Sequence, residues 1–235
     1  LDRQRKEFVA NVSHELRTPL TTIKSYLESL EDGAIGDPEL ASRFLRVTLQ
    51  EAERMNRLIN DLLLLSRLDA KETRFHKQAV DLKEMLEEVA DRFSVPCEKK
   101  GIRIGLQVAG PLPRVYVDRD QIDQVLDNLV SNAVKFTPEG GSITIRARRQ
   151  RDGMAEVSVS DTGIGIPKKD LGRIFERFYR VDKARSRQMG GTGLGLSIAR
   201  EIVLAHGGDI GIESEYRRGT TVTFTLPPCE PEVIR

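Results

Sequence analysis

The sequence has no tryptophan, and only three histidines and two cysteines in 235 residues. Cys97 and Cys229 lie far apart and belong to no C-x-x-C pair. A zinc site or disulfide framework is therefore not expected, and a reducing compartment is the simple assumption. Charge of one sign is missing too: 37 Lys and Arg stand against 36 Asp and Glu, a formal net charge of +1. That removes any global electrostatic pull toward nucleic acid or an anionic membrane. No run approaches the roughly 20 apolar residues that span a bilayer. The opening Leu1-Asp2-Arg3-Gln4-Arg5-Lys6-Glu7 is charged, lacks an initial methionine and reads as mid-helix, not as a signal peptide. The expectation is a piece of a longer protein, touching a membrane only through segments upstream of residue 1.

What is present divides into two periodicities. Over residues 1–68, Phe8, Val12, Leu16, Ile23, Leu27 and Leu30 recur at helical spacing. Gly33 and Gly36 break this helix, and Asp37-Pro38 supplies an N-cap and first turn for the next. In that second helix Met55, Leu58, Leu62 and Leu65 are spaced 3-4-3, like a heptad seam. The run Leu58 to Leu68 is apolar on more than one face, which one hairpin cannot bury. Two hairpins pairing as a four-helix bundle, hence a homodimer, is the favoured solution. The alternative packs the hairpin against the rest of its own chain.

Residues 69–77 are polar and aperiodic, a linker. Residues 78–228 then alternate between helices (around Leu82–Val89, Ile122–Val130 and Thr192–Ala205) and strands (around Ile102–Val108, Ile143–Ala147, Ala155–Val159, Ile210–Ile212 and Val222–Leu226). The fold class is α+β: a helical hairpin, then an α/β sandwich with helices on one face of one sheet. Residues 229–235 are a tail.

Three clusters carry chemistry. In Val12-Ser13-His14-Glu15-Leu16-Arg17-Thr18-Pro19-Leu20, Pro19 sits inside a helix at a cost of about 3 kcal/mol. His14 falls off the apolar stripe toward solvent, with Thr18 one turn away on the same face. A neutral imidazole with a free ring nitrogen is a nucleophile, and Glu15 could hold its other N–H. Asn128 and Asn132 lie one turn apart on a helix with Lys135 beyond; amide oxygens suit a Mg²⁺ that already bridges phosphates. Asp161-Thr162-Gly163-Ile164-Gly165-Ile166-Pro167 follows a strand, with a carboxylate for an amine and glycines for close backbone approach. Gly190-Gly191-Thr192-Gly193-Leu194-Gly195-Leu196 opens a helix, where free N–H groups attract phosphate. The glycine-poor residues 168–189 between these two look mobile. Together they describe an ATP pocket.

These segments, in this order, resemble the boxes of sensor histidine kinases over residues 1–227. The His14 segment is similar to the phosphoacceptor H-box, and Asn128–Lys135 to the N-box. Asp161–Gly165 is similar to the G1 box, Arg173–Arg180 to the F-box and Gly191–Gly195 to the G2 box. The H-box and Leu20–Glu28 look closest to the cell-wall-regulating WalK/YycG type. The resemblance implies a dimerisation and phosphotransfer hairpin followed by an ATP-binding domain of the GHKL (Bergerat) kind. It implies that His14 is phosphorylated, that Glu15 is its acid/base partner, and that Thr18 orients water when a response regulator is dephosphorylated. It further implies that Asn128 and Asn132 hold Mg²⁺, that Lys135 touches phosphate and that Asp161 accepts from the adenine amine. Gly163, Gly165 and Ile166 would line the nucleotide; Tyr179 and Arg180 would reach it, Arg180 toward the γ-phosphate. Thr192, Gly193, Leu194, Gly195 and Leu196 would lie along the phosphates. The implied setting is the cytoplasmic part of a bacterial plasma-membrane receptor, with a receiver domain as partner. An Hsp90- or MutL-type clamp ATPase shares the pocket but lacks the H-box hairpin. A module that only binds nucleotide would leave Glu15, Tyr179 and Arg180 superfluous. Nucleic-acid binding through Arg146, Arg148, Arg149 and Arg151 is disfavoured, since a solvated strand face explains them.

Overall fold

The computed structural model describes residues 2–70, 74–182 and 191–229, with side chains from residue 6. Residues 183–189 of the segment expected to be mobile, 71–73 of the linker and 230–235 of the tail lie outside the described residues. Helix α1 (Asp2–Glu31) runs through Pro19 without a break, and α2 (Pro38–Asp69) returns antiparallel to it. A short 3₁₀ turn, Ala34–Gly36, joins them. Asp37 caps α2, its carboxylate accepting from the Glu39 and Leu40 amides at 3.0 and 3.1 Å, with Pro38 in the first turn. Tyr26 and Phe44 stack edge to face at 4.8 Å near the closed end.

The second part is a two-layer sandwich. Strands β2 (Arg103–Ala109), β4 (Ser142–Arg149), β5 (Ala155–Asp161), β6 (Ile210–Glu215) and β7 (Gly219–Leu226) form a sheet of order β2-β4-β5-β7-β6. Only the β2–β4 pairing is parallel, its crossover containing α4 (Arg119–Phe136). Ile143, Ile145, Val157, Val159, Val222 and Phe224 point to the buried face. That face is covered by α3 (Leu82–Lys99), α4 and α6 (Gly195–Ala205), while a short α5 (Lys168–Leu171) lies near β6. On the open face Arg148 pairs with Glu156, and Arg146 donates to Gln107 at 3.0 Å. These arginines are thus partnered by their own sheet.

Three expectations need correction. A second sheet exists: β1 (Gln78–Val80) pairs antiparallel with β3 (Val115–Val117). Helix α6 starts at Gly195, not Thr192, because Gly193 takes φ +75° and Leu194 supplies the cap position. The seam Met55–Leu58–Leu62–Leu65 is not the open face of α2: Leu58 is 3% and Leu65 0% exposed, joined to the core of the sandwich. The chain itself covers that side, which is the alternative weighed above. A different heptad stripe of α2 stays open, Leu45, Leu49, Ala52, Asn56, Ile59 and Leu63, spaced 4-3-4-3-4.

The end of the expected linker is strapped to the sandwich. The His76 amide donates to Asp118 Oδ2 at 2.9 Å, and the Asp118 amide donates to His206 Nε2 at 3.1 Å. Phe75 packs on the His206 ring at 4.6 Å. Burial lowers the His206 pKa, which suits a neutral ring accepting that amide.

Candidate functional site

His14 is exposed on α1, as its position off the apolar stripe requires. The Thr18 hydroxyl donates to the His14 carbonyl at 3.2 Å, so both residues share one face. Glu15 is half-buried and faces the sandwich. Its carboxylate accepts from Arg180 at 2.8 and 3.3 Å, and Arg54 of α2 stands 3.5 Å away. The group beside His14 is thus bound to arginines from two other elements.

Helix α4 carries Asn128, Asn132 and Lys135 because Ile122, Val125, Leu126, Leu129, Val130 and Ala133 fill its buried side. Asn128 Nδ2 donates to the Gly195 carbonyl at 3.2 Å, tying this helix to the first turn of α6. Asn132 lies one turn further along, half-buried. Lys135 is pushed down to about 8, foremost by desolvation and then by the positive charges of Arg180, Arg54 and Arg57. Four cationic side chains therefore converge near the end of α4. Arg180 is 8% exposed, and its Nε is a buried donor without an acceptor. Such an environment suits a polyphosphate.

Asp161 ends β5. Burial raises its pKa, opposed by hydrogen bonds from the Gly163 and Thr220 amides, the former 2.8 Å from Oδ1. The turn that follows is pinned by Ile164 N to Phe136 O at 3.2 Å and Ile166 N to Ser214 Oγ at 2.8 Å. Gly165 at φ +64° packs so closely on the Glu215 carbonyl that a Cβ would collide with it. In the G2 segment the Leu194 amide donates to Thr192 Oγ1 at 3.3 Å, and Ser197 Oγ donates to Leu194 O at 2.8 Å. Leu194 is buried, while Gly193 and Leu196 are half-buried. A Cβ on Gly193 would sit 3.1 Å from Arg180 Nε, so the G2 and F segments meet there.

Tyr179 is placed differently from the other residues. Its hydroxyl donates to Asp170 Oδ1 at 2.5 Å, and the Arg173 guanidinium lies 4.4 Å from its ring. It is engaged within its own segment in this conformation. The sequence reading did not single out Arg54, Arg57, Asp61 or Asp69, all on α2. Thr192 Oγ1 donates to Asp61 Oδ2 at 3.2 Å, and Arg177 donates to both Asp69 oxygens at 2.8 and 2.6 Å. The available signal was their helical spacing within a leucine-rich run.

Two family models match this chain. Residues 4–71 match the model of the His Kinase A (phospho-acceptor) domain, and residues 117–230 that of the histidine kinase-, DNA gyrase B- and HSP90-like ATPases. The sensor histidine kinase WalK of Bacillus subtilis is 51% identical over 99% of this chain, which spans 38% of that protein. The solved catalytic domain of histidine kinase ThkA is 34% identical, with TM-score 0.58, over 66% of this chain and 97% of that one. A structure of ThkA in complex with the response regulator TrrA aligns over 97% of this chain and 64% of that one, with TM-score 0.77 and 29% identity.

Proposed function

The chain belongs to the histidine kinases, similar along nearly its whole length to the WalK type, and on that basis we propose that His14 takes the γ-phosphoryl group of ATP and passes it to a response-regulator aspartate. The observation that carries this reading is the 2.8 Å pairing of Arg180 with Glu15, the neighbour of the phosphoacceptor. The same pairing weighs against a clamp ATPase, which has no helical hairpin with a nucleophile at that point.

Each residue then has a task. Phosphoryl transfer is mainly positioning and charge stabilisation. The exposed imidazole of His14 offers a ring nitrogen to the phosphorus, and Glu15 takes or returns its proton. Arg180, released from Glu15, balances the γ-phosphate, and Lys135 holds a phosphate oxygen. Asp161 accepts from the adenine amine above the Gly163–Ile166 turn, and Thr192 to Leu196 cradle the phosphates at the start of α6. Tyr179 reaches the nucleotide once it leaves Asp170. Asn128 and Asn132 would hold Mg²⁺, which supplies charge neutralisation between phosphates. Among the described residues no cluster of three His, Cys, Asp or Glu forms a metal cage. Thr18 would orient water against the phosphorylated regulator in the reverse, phosphatase direction.

The open stripe Leu45–Leu63, together with exposed Leu20 and Leu27 of α1, supports a homodimer through a four-helix bundle. Residues 1–68 serve as the phosphotransfer hairpin, 69–77 as the connection, 78–228 as the ATP unit and 229–235 as a tail. The site faces the bacterial cytoplasm, and any membrane anchor would be supplied by other segments. Among the described residues no helix is long and apolar enough to cross a membrane. The ThkA–TrrA complex supports a receiver domain as partner. A pulse–chase tests the pathway: label on the chain moves to a receiver domain on mixing, and Thr18→Ala slows its later loss from the receiver. Label that stays on the chain with every receiver offered contradicts the transfer step.

A further inference from the structure

The chain enters the sandwich at residues 74–77, just before β1, and this entry is fastened by two residues far away in sequence. Asp118 is the N-cap of α4, the helix that carries Asn128, Asn132 and Lys135. Its Oδ1 accepts from the Gln121 amide at 3.2 Å, and its Oδ2 accepts from the His76 amide at 2.9 Å. One carboxylate thus joins the entering segment to the first turn of the nucleotide helix. The aspartate is itself held by His206, whose Nε2 accepts from the Asp118 amide at 3.1 Å. The Phe75 ring lies on the imidazole at 4.6 Å, and Lys77 Nζ donates to the Ala205 carbonyl at 3.4 Å.

Both nitrogens of His206 are committed, and in one way only. Nε2 must be bare to accept an N–H, so the ring proton sits on Nδ1, which lies 2.8 Å from the Ile202 carbonyl. A second proton would have to enter on Nε2 and point at the Asp118 N–H, setting donor against donor. The ring is 2% exposed, so no water shell can take up that charge. The charged groups facing it are Lys77 from the entering segment, which opposes a proton, and Asp118 from the α4 cap, which favours one. Burial outweighs both and holds the ring below its ordinary 6.5. The chain has three histidines, and the other two, His14 and His76, are exposed.

We propose that His206 and Asp118 form a proton-sensitive clasp that fastens the entering segment to the nucleotide helix and opens when the His206 ring is protonated. Opening turns the Asp118 amide away from the ring. The same movement releases the His76 amide from Oδ2 and the Gln121 amide from Oδ1, so the entry and the α4 cap loosen together. The sign follows from linkage. With the clasp open, the ring takes a proton near pH 6.5; with it closed, only at lower pH. Acid therefore favours the open form, and above pH 6.5 the balance no longer changes. His206 acts here as a positioning residue, through Asp118. Its effect on phosphoryl transfer rests on the kinase reading above; the clasp itself does not.

Exchange of the His76 and Asp118 amides with solvent tests the clasp, read by NMR in the full chain from pH 7.5 to 5.0 and divided by the intrinsic rate at each pH. Val157 and Val159 of β5 serve as references. In wild type, protection should stay constant above pH 6.5 and fall about fivefold or more by pH 5.5, while the references keep theirs. His206→Gln can still accept from Asp118 but takes no proton, and should not show the fall. Constant protection in wild type down to pH 5.0, an equal fall in the β5 amides, or the same fall in His206→Gln overturns the clasp. Ring nitrogen shifts decide without any variant: a His206 proton on Nε2 at pH 7.5 contradicts the geometry, and one on Nδ1 supports it. For transfer, the ratio of His206→Gln to wild-type autophosphorylation kcat at saturating ATP should rise about threefold or more from pH 7.5 to 5.5. Titration of His14 affects both chains and cancels in that ratio. A constant ratio removes the clasp from transfer. Absence of label from both chains at every pH defeats the kinase reading, and the exchange result then decides the clasp alone.

Discussion

Asp61 offers a sharp perturbation, because its carboxyl is held where a charge is unwelcome. Burial is the main cause and raises it from an ordinary 3.8 to about 6, against the opposing effects of the Thr192 hydroxyl and the Arg57 charge. Between pH 3.8 and about 6 the folded, docked chain therefore binds more protons than the unfolded chain. Stability must fall as pH rises through that window, and the full penalty stands above it. A carboxyl displaced this far corresponds to at most about 3 kcal/mol; because the group is only partly buried, screening reduces the expected effect to about 1–2 kcal/mol. Asp61→Asn keeps the shape and still accepts from Thr192, but has no charge to bury. At pH 7.5 the variant should melt about 2–8 °C above wild type, and at pH 4.5 that gap should shrink by more than half. Circular dichroism suits the measurement in a chain without tryptophan. A gap of constant size from pH 4.5 to 7.5, or a variant that melts lower at pH 7.5, would refute the reasoning.

Other expectations follow from single contacts. Gly165→Ala forces a left-handed backbone on a residue with a Cβ and drives that carbon into Glu215; it should cost more than about 2 kcal/mol in a denaturant titration and weaken nucleotide binding. Nucleotide binding at the wild-type level would show that this turn does not set the pocket. Lys135, lowered to about 8, loses its charge near that pH in the empty site, so affinity for a non-hydrolysable ATP analogue should decline between pH 7 and 9. Lys135→Gln should bind more weakly and lose that slope; a slope that persists assigns the titration elsewhere. Light scattering should give a particle of about twice the 26.4 kDa chain mass, and Leu49→Lys with Ile59→Lys should reduce it to one chain. A wild-type monomer at micromolar concentration contradicts the four-helix bundle.

Much of the fold was legible because it obeys strong periods. The two long helices, the Asp37-Pro38 cap and the five strands of the main sheet are each announced by spacing or by turn residues. The β1–β3 sheet was not, since three-residue strands such as Gln78–Val80 are too short to show alternation. The open stripe of α2 was missed because Ala52 and Asn56 interrupt its apolar character, while the more leucine-rich face drew attention and turned out to be covered. At the site, the glycine segments and the paired asparagines stand out locally. Arg54, Asp61 and Asp69 do not: a charged residue in a helix ordinarily reads as solvent-facing, and only the folded chain shows Asp61 meeting Thr192, Asp69 meeting Arg177 and Arg54 meeting Glu15. The Tyr179–Asp170 bond was likewise invisible, because it depends on the conformation of the segment after α5 rather than on spacing.

The central claim is that His14 accepts phosphate from ATP. The most direct measurement incubates the purified chain with Mg²⁺ and γ-labelled ATP, beside His14→Gln folded to the same circular dichroism spectrum. The account predicts acid-labile, base-stable label on wild type and none on the variant. Steady ATP hydrolysis by both proteins, with neither labelled, would contradict it and favour a clamp ATPase.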